Sequence, residues 1–434
     1  MPAAPSLLIV PYRSKTGKLY SQIPTSGAGD FTVTRNTEAR RFTSAGLIAS
    51  VASGIPRLDY ATSGGTVGCP ALLVEPAGTN LCLQSENFST TWSPNNTVVS
   101  GNVAGTTDPA GGNTADQIFE TAASGNHFLA QTMSITSGTT YVGSVFYKKT
   151  AGSPDWMQVA FSTTGLAGFA NFNLTSGTVG NVFAGATGRI ENYGNGWYRC
   201  TLIQTASASG TSGGPIIVFT NNTNSITRFV SYTGNTATSI YAWGAQLETG
   251  SVATSYIPTT TGTGSRSADV ISVSGAVSGS IGQTEGTIYA EVDLKVFPVA
   301  GSPIIGIISL NVGAANLQNC IVLGVERDSA GTNRFYSLVQ RANATQAGIF
   351  GPSISAGVFK VAFAYKENDF TMYVNGVQTG TPDTSGLLPI GSLSEVLIGT
   401  RFTGDTQFLN DRIRAAAFYT TRLTDAELAT LTTP

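Results

Sequence analysis

Charge is what this chain has least of. Asp, Glu, Lys and Arg make up 11% of its 434 residues, against about 25% in ordinary soluble proteins. The formal net charge is −2, and no basic cluster is longer than Arg40-Arg41 or Lys148-Lys149. A nucleic-acid partner would need a basic stripe to neutralise phosphates, so none is expected. No apolar run approaches the roughly 18 residues of a membrane span, and membrane insertion is not expected either. The opening Met1-Pro-Ala-Ala-Pro-Ser-Leu-Leu-Ile-Val10 has a short apolar run with no positive charge before it. That makes a poor secretory signal, and synthesis and assembly in a cytoplasm are expected.

Reactive side chains are equally scarce. There is one histidine, His127, and four widely spaced cysteines: Cys69, Cys82, Cys200 and Cys320. Without CxxC spacing, the cysteines fit reduced, buried thiols better than a disulfide framework or a zinc site; a Cys69–Cys82 bridge stays open. One histidine and no cysteine cluster argue against a transition-metal site, and no cofactor is expected. A Ser-His-Asp or Cys-His site would have to use His127. Its neighbours, Gly125-Asn-His-Phe-Leu129, hold no nucleophile motif, so a solvent-facing or turn histidine is the expectation.

What the chain has in quantity is glycine, 51 residues, together with Thr, Ser and Asn. Threonine suits a half-buried pleated surface, and Gly, Asn and Ser supply turns. The expected class is all-β, with neutral hydroxyls and amides replacing charge on exposed faces. Residues 1–84 hold Arg35, Arg40, Arg41 and Arg57, turn signals at Ser26–Gly29, Ala45-Gly46 and Ser63-Gly64-Gly65, and short strands such as Asp30–Thr34 and Ala71–Glu75. So small a segment cannot bury much core alone. It is expected to pack on a neighbour or on another subunit, as an anchoring region. From 85 to 258, strands are expected at Tyr141–Tyr147, Trp156–Phe161, Trp197–Ile203 and Pro215–Phe219, with Gly194-Asn-Gly196 as a tight turn. Many strands with short Gly-rich connections argue for a jelly-roll sandwich. Thr259–Ser265 reads as a linker, and a second β-rich unit follows to residue 434. There Lys366–Asp369 suits a hairpin loop between Lys360–Tyr365 and Phe370–Val374, and Asn375-Gly376 supplies another turn. The one convincing helix is at the end, where Thr424-Asp-Ala-Glu427 has capping-box spacing before Leu428 and Leu431.

Several strings resemble known families. Tyr193-Gly-Asn-Gly-Trp-Tyr-Arg-Cys200 and Trp243-Gly-Ala-Gln-Leu-Glu-Thr-Gly-Ser-Val-Ala-Thr-Ser-Tyr-Ile-Pro258 resemble a carbohydrate-binding-like β-sandwich of bacteriophage appendage and surface proteins, with Ser85–Trp92 at its start. Gly29–Asn36, Gly46–Ile48, Pro56–Tyr60, Cys69–Pro76 and Thr79-Asn-Leu81 resemble the opening of phage virion and tail proteins. Phe370–Gly376, Leu397–Thr400, Arg412–Tyr419 and Arg422–Leu428 are similar to laminin-G/concanavalin A-like jelly rolls. The resemblance implies a virion protein acting by adhesion: a tail fibre or fibre-like appendage, with capsid decoration (a head fibre) as the alternative. Its implied partners are other virion proteins, further copies of itself, a trimer by analogy, and host cell-surface glycan.

The residues that could do chemistry are few. Cleavage of a glycosidic bond needs only two carboxylates flanking it. Glu291-Val-Asp293 puts two on one strand face, but no third acid follows, and exposed strand residues are the plainer reading. Sugar rings stack on flat indole faces, which makes the tryptophans the better candidates. Trp197 and Trp243 lie in strands and are expected in the core. Trp92 and Trp156 are the candidate glycan-binding residues. Asp405 and Asp411 offer oxygen ligands for calcium, against the plainer reading of isolated acids in surface turns. No residue is assigned a catalytic role.

Overall fold

Buried and exposed side chains alternate along Phe31–Thr34 and Asp116–Glu120, the period-2 pattern of a strand with one face on a core. The computed structural model describes residues 4–61, 67–162, 165–295, 297, 302–313 and 317–434; the expected turn at Ser63–Gly65 lies outside them. The class is all-β, with one short C-terminal α-helix, Asp425–Thr432. The chain divides into two compact units. A central unit comprises Ala45–Ala49 and Gly78–Arg266, and a discontinuous unit comprises Met1–Ser44, Ser50–Ala77 and Ser267–Pro434.

The discontinuous unit is a sandwich of two sheets. One runs Val377–Asp383, Asp369–Val374, Gly357–Lys366, Glu285–Leu294, Asp411–Tyr419, Val67–Val74, Leu58–Ala61, with Leu7–Ile9 also paired to Asp411–Tyr419. The other runs from Ser14–Lys15 through Phe31–Thr34, Val270–Ser274, Glu395–Ile398 and Ser302–Asn311 to Ala344–Phe350. Ile288, Ala290 and Val292 from the first sheet meet Ile271, Leu310 and Ile321 from the second in one core. Residues 1–84 are therefore not a separate region. Leu7 pairs with Phe418, Thr32 with Ser272 and Leu72 with Ile413, so the early strands complete both sheets. Apart from the eight-residue Val67–Val74, these strands have two to four residues and bury too little to stand alone, which is why they pack on this neighbour.

Two of the early arginines are internal. Arg35 Nη1 lies 2.9 Å from Asp269 Oδ1, and Arg57 pairs with both Glu75, at 2.5 Å, and Asp269. Arg35 also donates to the carbonyls of Thr37, Val51, Ala52 and Ile55. The terminal helix has the expected capping box between Thr424 and Glu427. It buries Leu428 in a small cluster with Tyr289, Tyr373 and Tyr419.

The central unit holds two six-stranded sheets around a core that includes Phe88, Val145, Tyr147, Met157, Phe172, Leu202 and Phe219. The unit runs to Arg266, past the expected boundary at 258. The predicted linker is partly built in. Gly264–Arg266 pairs with Gly78–Asn80, and the Thr259 hydroxyl donates to the Cys82 carbonyl at 2.6 Å. Small polar residues here satisfy the backbone where the chain enters and leaves the sandwich.

Candidate functional site

The two strings of the central unit meet around the buried ring of Phe146. Tyr193, Trp243 and Tyr256 approach it edge-on, with centroids 4.9, 5.3 and 6.2 Å away, and the Arg199 guanidinium lies 5.5 Å from its centre. Arg199 donates to Ser144 Oγ and, at 2.7 Å, to the Thr254 carbonyl. Glu248 accepts from Gln246 Nε2, the Thr254 amide and the Thr254 hydroxyl at 2.6–2.8 Å. Burial pushes the Glu248 carboxyl above the usual range, and nearby Arg199 and the bonds from Thr254 and Gln246 only partly offset this. All of these polar groups are buried. Trp197 and Trp243 are 1% exposed, with their indole N–H groups given to the Thr107 carbonyl and to Thr114 Oγ1. The strings thus encode a lock for the sandwich, and none of their tryptophans is open to a ligand.

Most of the candidate residues are occupied internally. His127 is buried, not solvent-facing. Its ring nitrogens lie 2.9 Å from the Asn96 carbonyl and 3.3 Å from that of Tyr232, and no nucleophile is among those partners. Glu291 and Asp293 share a strand face, but Asp293 is 1% exposed rather than solvated, and Glu291 lies 3.5 Å from Arg414. Both Asp405 oxygens are taken by Arg401, at 2.7 and 2.8 Å, with the Gln407 amide adding a third bond. Burial alone would raise the Asp405 carboxyl, but these donors hold it below the usual range. Asp411 is buried and accepts from the Lys295 amide at 2.6 Å. Neither is the isolated surface acid that a calcium site would recruit, and among the described residues no three His, Cys, Asp or Glu side chains group around a point. All four cysteines are free, so the Cys69–Cys82 bridge is not formed; Cys69 is exposed, not buried. Burial pushes the thiols of Cys82 and Cys200 well up and that of Cys320 up to about 12, which leaves them poor nucleophiles.

The two candidate tryptophans separate. Trp92 is 5% exposed, meets Phe88 edge-on at 4.9 Å, and gives its N–H to the Gln84 carbonyl. Its Ser, Thr and Asn neighbours in sequence suggested a surface, but the ring turns inward, and it cannot serve as a sugar platform. Trp156 is half-buried, at the start of Trp156–Ala160. Its ring lies against Gly180, where a Cβ would come within 2.4 Å of the indole; only glycine permits that approach. Around it are polar groups that the composition announced and the motif reading missed. Asn222 Oδ1 accepts the amides of Asp155 and Trp156. Asn224 accepts from Asn181 through both its side-chain and backbone oxygens. Asp155 accepts from Lys149 at 2.5 Å and from Thr175, bonds that hold its carboxyl below the usual range. The run Asn221-Asn-Thr-Asn224 was the available signal. A flat indole with side-chain amides next to it can offer a stacking face and hydroxyl partners to a polyol.

Residues 276–429 match the Laminin_G_3 family model, described as the concanavalin A-like lectin/glucanases superfamily. The match lies within the discontinuous unit, which therefore carries a lectin-type jelly roll. No curated protein matches the chain. Among solved structures, domain 4 of an extracellular arabinanase from Geobacillus stearothermophilus, in complex with arabinotriose, is similar at 13% identity. That alignment covers 42% of this chain and 82% of that one, with a TM-score of 0.28. A Trypanosoma rangeli sialidase is similar at 15% identity over 34% of this chain and 22% of that one, with a TM-score of 0.26. The binding domain of botulinum neurotoxin serotype D/C is similar at 15% identity over 38% and 40%, with a TM-score of 0.29. The chain spans less than half the length of the latter two. At such scores these likenesses carry no argument about ligand or activity.

Proposed function

We propose that this chain is a non-enzymatic structural protein of a bacteriophage particle, displayed as a fibre-like appendage, and that its central sandwich binds host-surface glycan. The observation that carries the binding reading is Trp156, half-buried against Gly180 with Asn224 beside the same glycine and Asn222 bonded to its backbone amide. The lectin-type domain at 276–429 is consistent with it. The phage setting is supported by the strings at 29–36, 56–60 and 69–81, and a homotrimer is the assembly usual for such appendages. Against turnover stand the enclosed His127 and the arginine-paired Glu291.

A printed oligosaccharide array probed with the intact chain and with Trp156→Ala tests the binding reading. We expect the variant to lose at least about tenfold in binding, or 1.4 kcal/mol. Equal binding would remove Trp156 from the site, and no binding by either protein would remove adhesion. Immunogold against residues 276–429 on intact virions tests display. Gold at the tail fits an appendage; gold over the head makes the chain a capsid decoration protein. Release of reducing ends from host polysaccharide, abolished by both Glu291→Gln and Asp293→Asn, would make it a hydrolase instead.

A further inference from the structure

One outer sheet face of the central unit is closed by the chain itself. Along Trp156–Ala160 and Phe169–Asn173, the side chains of Met157, Val159, Ala170 and Phe172 enter the core. Gln158 and Asn171 point the other way, yet both are 0% exposed. Residues 221–229 cover them. Gln158 Nε2 donates to Asn171 Oδ1 at 2.8 Å and to the Thr227 carbonyl at 3.2 Å, while its oxygen accepts from the Phe229 amide. Asn171 Nδ2 donates to the Ser225 carbonyl at 2.6 Å and to Asn224 Oδ1 at 3.1 Å. Next to this amide pair is an apolar patch of Ala160, Phe169, Ile216 and Val218, onto which the strap sets the Phe229 ring, 5.1 Å from Phe128.

The strap is held down by polar bonds, among them those from Arg228 to the Phe161 and Ala167 carbonyls at 2.6 and 3.2 Å, but its backbone is strained. Its Asn221, Asn222 and Phe229 hold positive φ of 51°, 54° and 59°, a region that a bulky ring rarely adopts and that stores strain. Ile226 at its crest is 82% exposed. A pyranose asks of a protein two things, hydrogen-bonding groups for its hydroxyls and a flat apolar face for its C–H face. Beneath the strap, buried amides adjoin an aromatic patch, and the strap meets them with carbonyls and a ring. Trp156 begins the same strand, two residues before Gln158.

We propose that, while Asn222 and Asn224 stay bonded beside Trp156, residues 225–229 are the displaceable part of this strap. The face beneath them, Gln158 and Asn171 with Phe128 and Phe169, is a second oligosaccharide subsite that extends the Trp156 platform when the strap lifts. This rests on glycan binding by the central unit. Two variants of the intact chain, probed on the same printed array, test it. Phe229→Ala removes the ring while keeping the strained backbone, and we expect binding to rise at least about tenfold. Arg228→Ala frees the strap from the carbonyls of Phe161 and Ala167, and we expect a rise of similar size. If both variants fold, by circular dichroism, and bind as the parent does while Trp156→Ala does not bind, the strap proposal is overturned and the platform stands. If parent and Phe229→Ala both bind nothing, the subsite and the glycan reading fall together.

Discussion

Asn80 shows how much a single amide can hold. Buried at 0% exposure, it donates to the carbonyls of Ala245 and Ile257 and accepts from the amides of Cys82 and Leu247. It thereby joins the start of the central sandwich to its exit. Asn80→Ala would strand those four backbone groups away from water, at about 1–3 kcal/mol for each that finds no other partner. We expect a loss of about 2–4 kcal/mol, read as a lower urea midpoint for the central unit's transition. Glu395 is the opposite case. It is 7% exposed, its Oε2 has no hydrogen-bond partner, and Asn311, across from it in register, also has an unpartnered oxygen. Burial raises its carboxyl above the usual range, with the Thr403 hydroxyl only partly opposing. A folded-state value raised above the unfolded one contributes stability that is fully present below the unfolded value and lost as pH rises through the folded one. The parent should therefore lose stability above about pH 4 through this group. Glu395→Gln brings an N–H that can face Asn311 and carries no charge to bury. Unfolding at mildly acidic and mildly alkaline pH should show the variant more stable at the alkaline end by on the order of 1 kcal/mol. A variant weaker than the parent at the alkaline end would show that the ionised carboxylate is needed.

The same logic of shared burial operates between elements. Leu7, Ile9, Leu19, Phe31, Leu72 and Val74, all buried, come from the first 77 residues and sit in the core of a sandwich whose other strands begin near residue 270. At about 1.5–3 kcal/mol per buried side chain, their removal costs roughly as much as the whole 5–15 kcal/mol that keeps a domain folded. A fragment of residues 267–434 should therefore lack dispersed amide resonances in NMR. One joining 1–77 to 267–434 should show them; a well-dispersed spectrum from the short fragment would contradict this. Here the limits of reading a sequence are physical. Alternation and turn chemistry are local, so the strand expected at Trp197–Ile203, the hairpin turning within Lys366–Asp369, and the capping box at Thr424 were legible in advance, though the first strand runs on to Thr205 and Lys366 and Asp369 are themselves paired. The partner of Leu7 is Phe418, and nothing local specifies a pairing at that separation. Burial of Trp92 was hidden for a related reason. Its polar neighbours mark a turn, and a turn does not say which way the ring swings. Trp156 was recognisable as a loop-to-strand tryptophan, whereas Gly180 beneath it and the strap beside it become visible only when three distant segments meet.

For the molecule as a whole, the scarcity of charge bears on how it would meet a partner. With 11% charged residues and a net charge of −2, the protein has little field with which to steer an encounter. Its uncharged polar side chains are mostly Thr, Ser and Asn, whose hydrogen bonds are short-ranged and weakly screened. Several of its ion pairs are internal, such as those of Arg35 and Arg57 with Asp269, and buried pairs respond little to ionic strength. Under the proposed function, attachment would draw its strength from repeated weak contacts, since linking sites multiplies affinity without new interactions. Both the association rate with a glycan-coated surface and the urea midpoints should therefore be nearly flat from roughly 50 mM to about 500 mM NaCl, over which the Debye length falls from about 14 Å to about 4 Å. Surface plasmon resonance across that range checks the first and equilibrium unfolding the second. A rate falling by more than about tenfold would mean that the few exposed charges, Lys149 and Asp155 beside Trp156 among them, direct recognition toward an ionic glycan. A flat response would assign recognition to stacking and neutral hydrogen bonds, the chemistry that the composition supplies in excess.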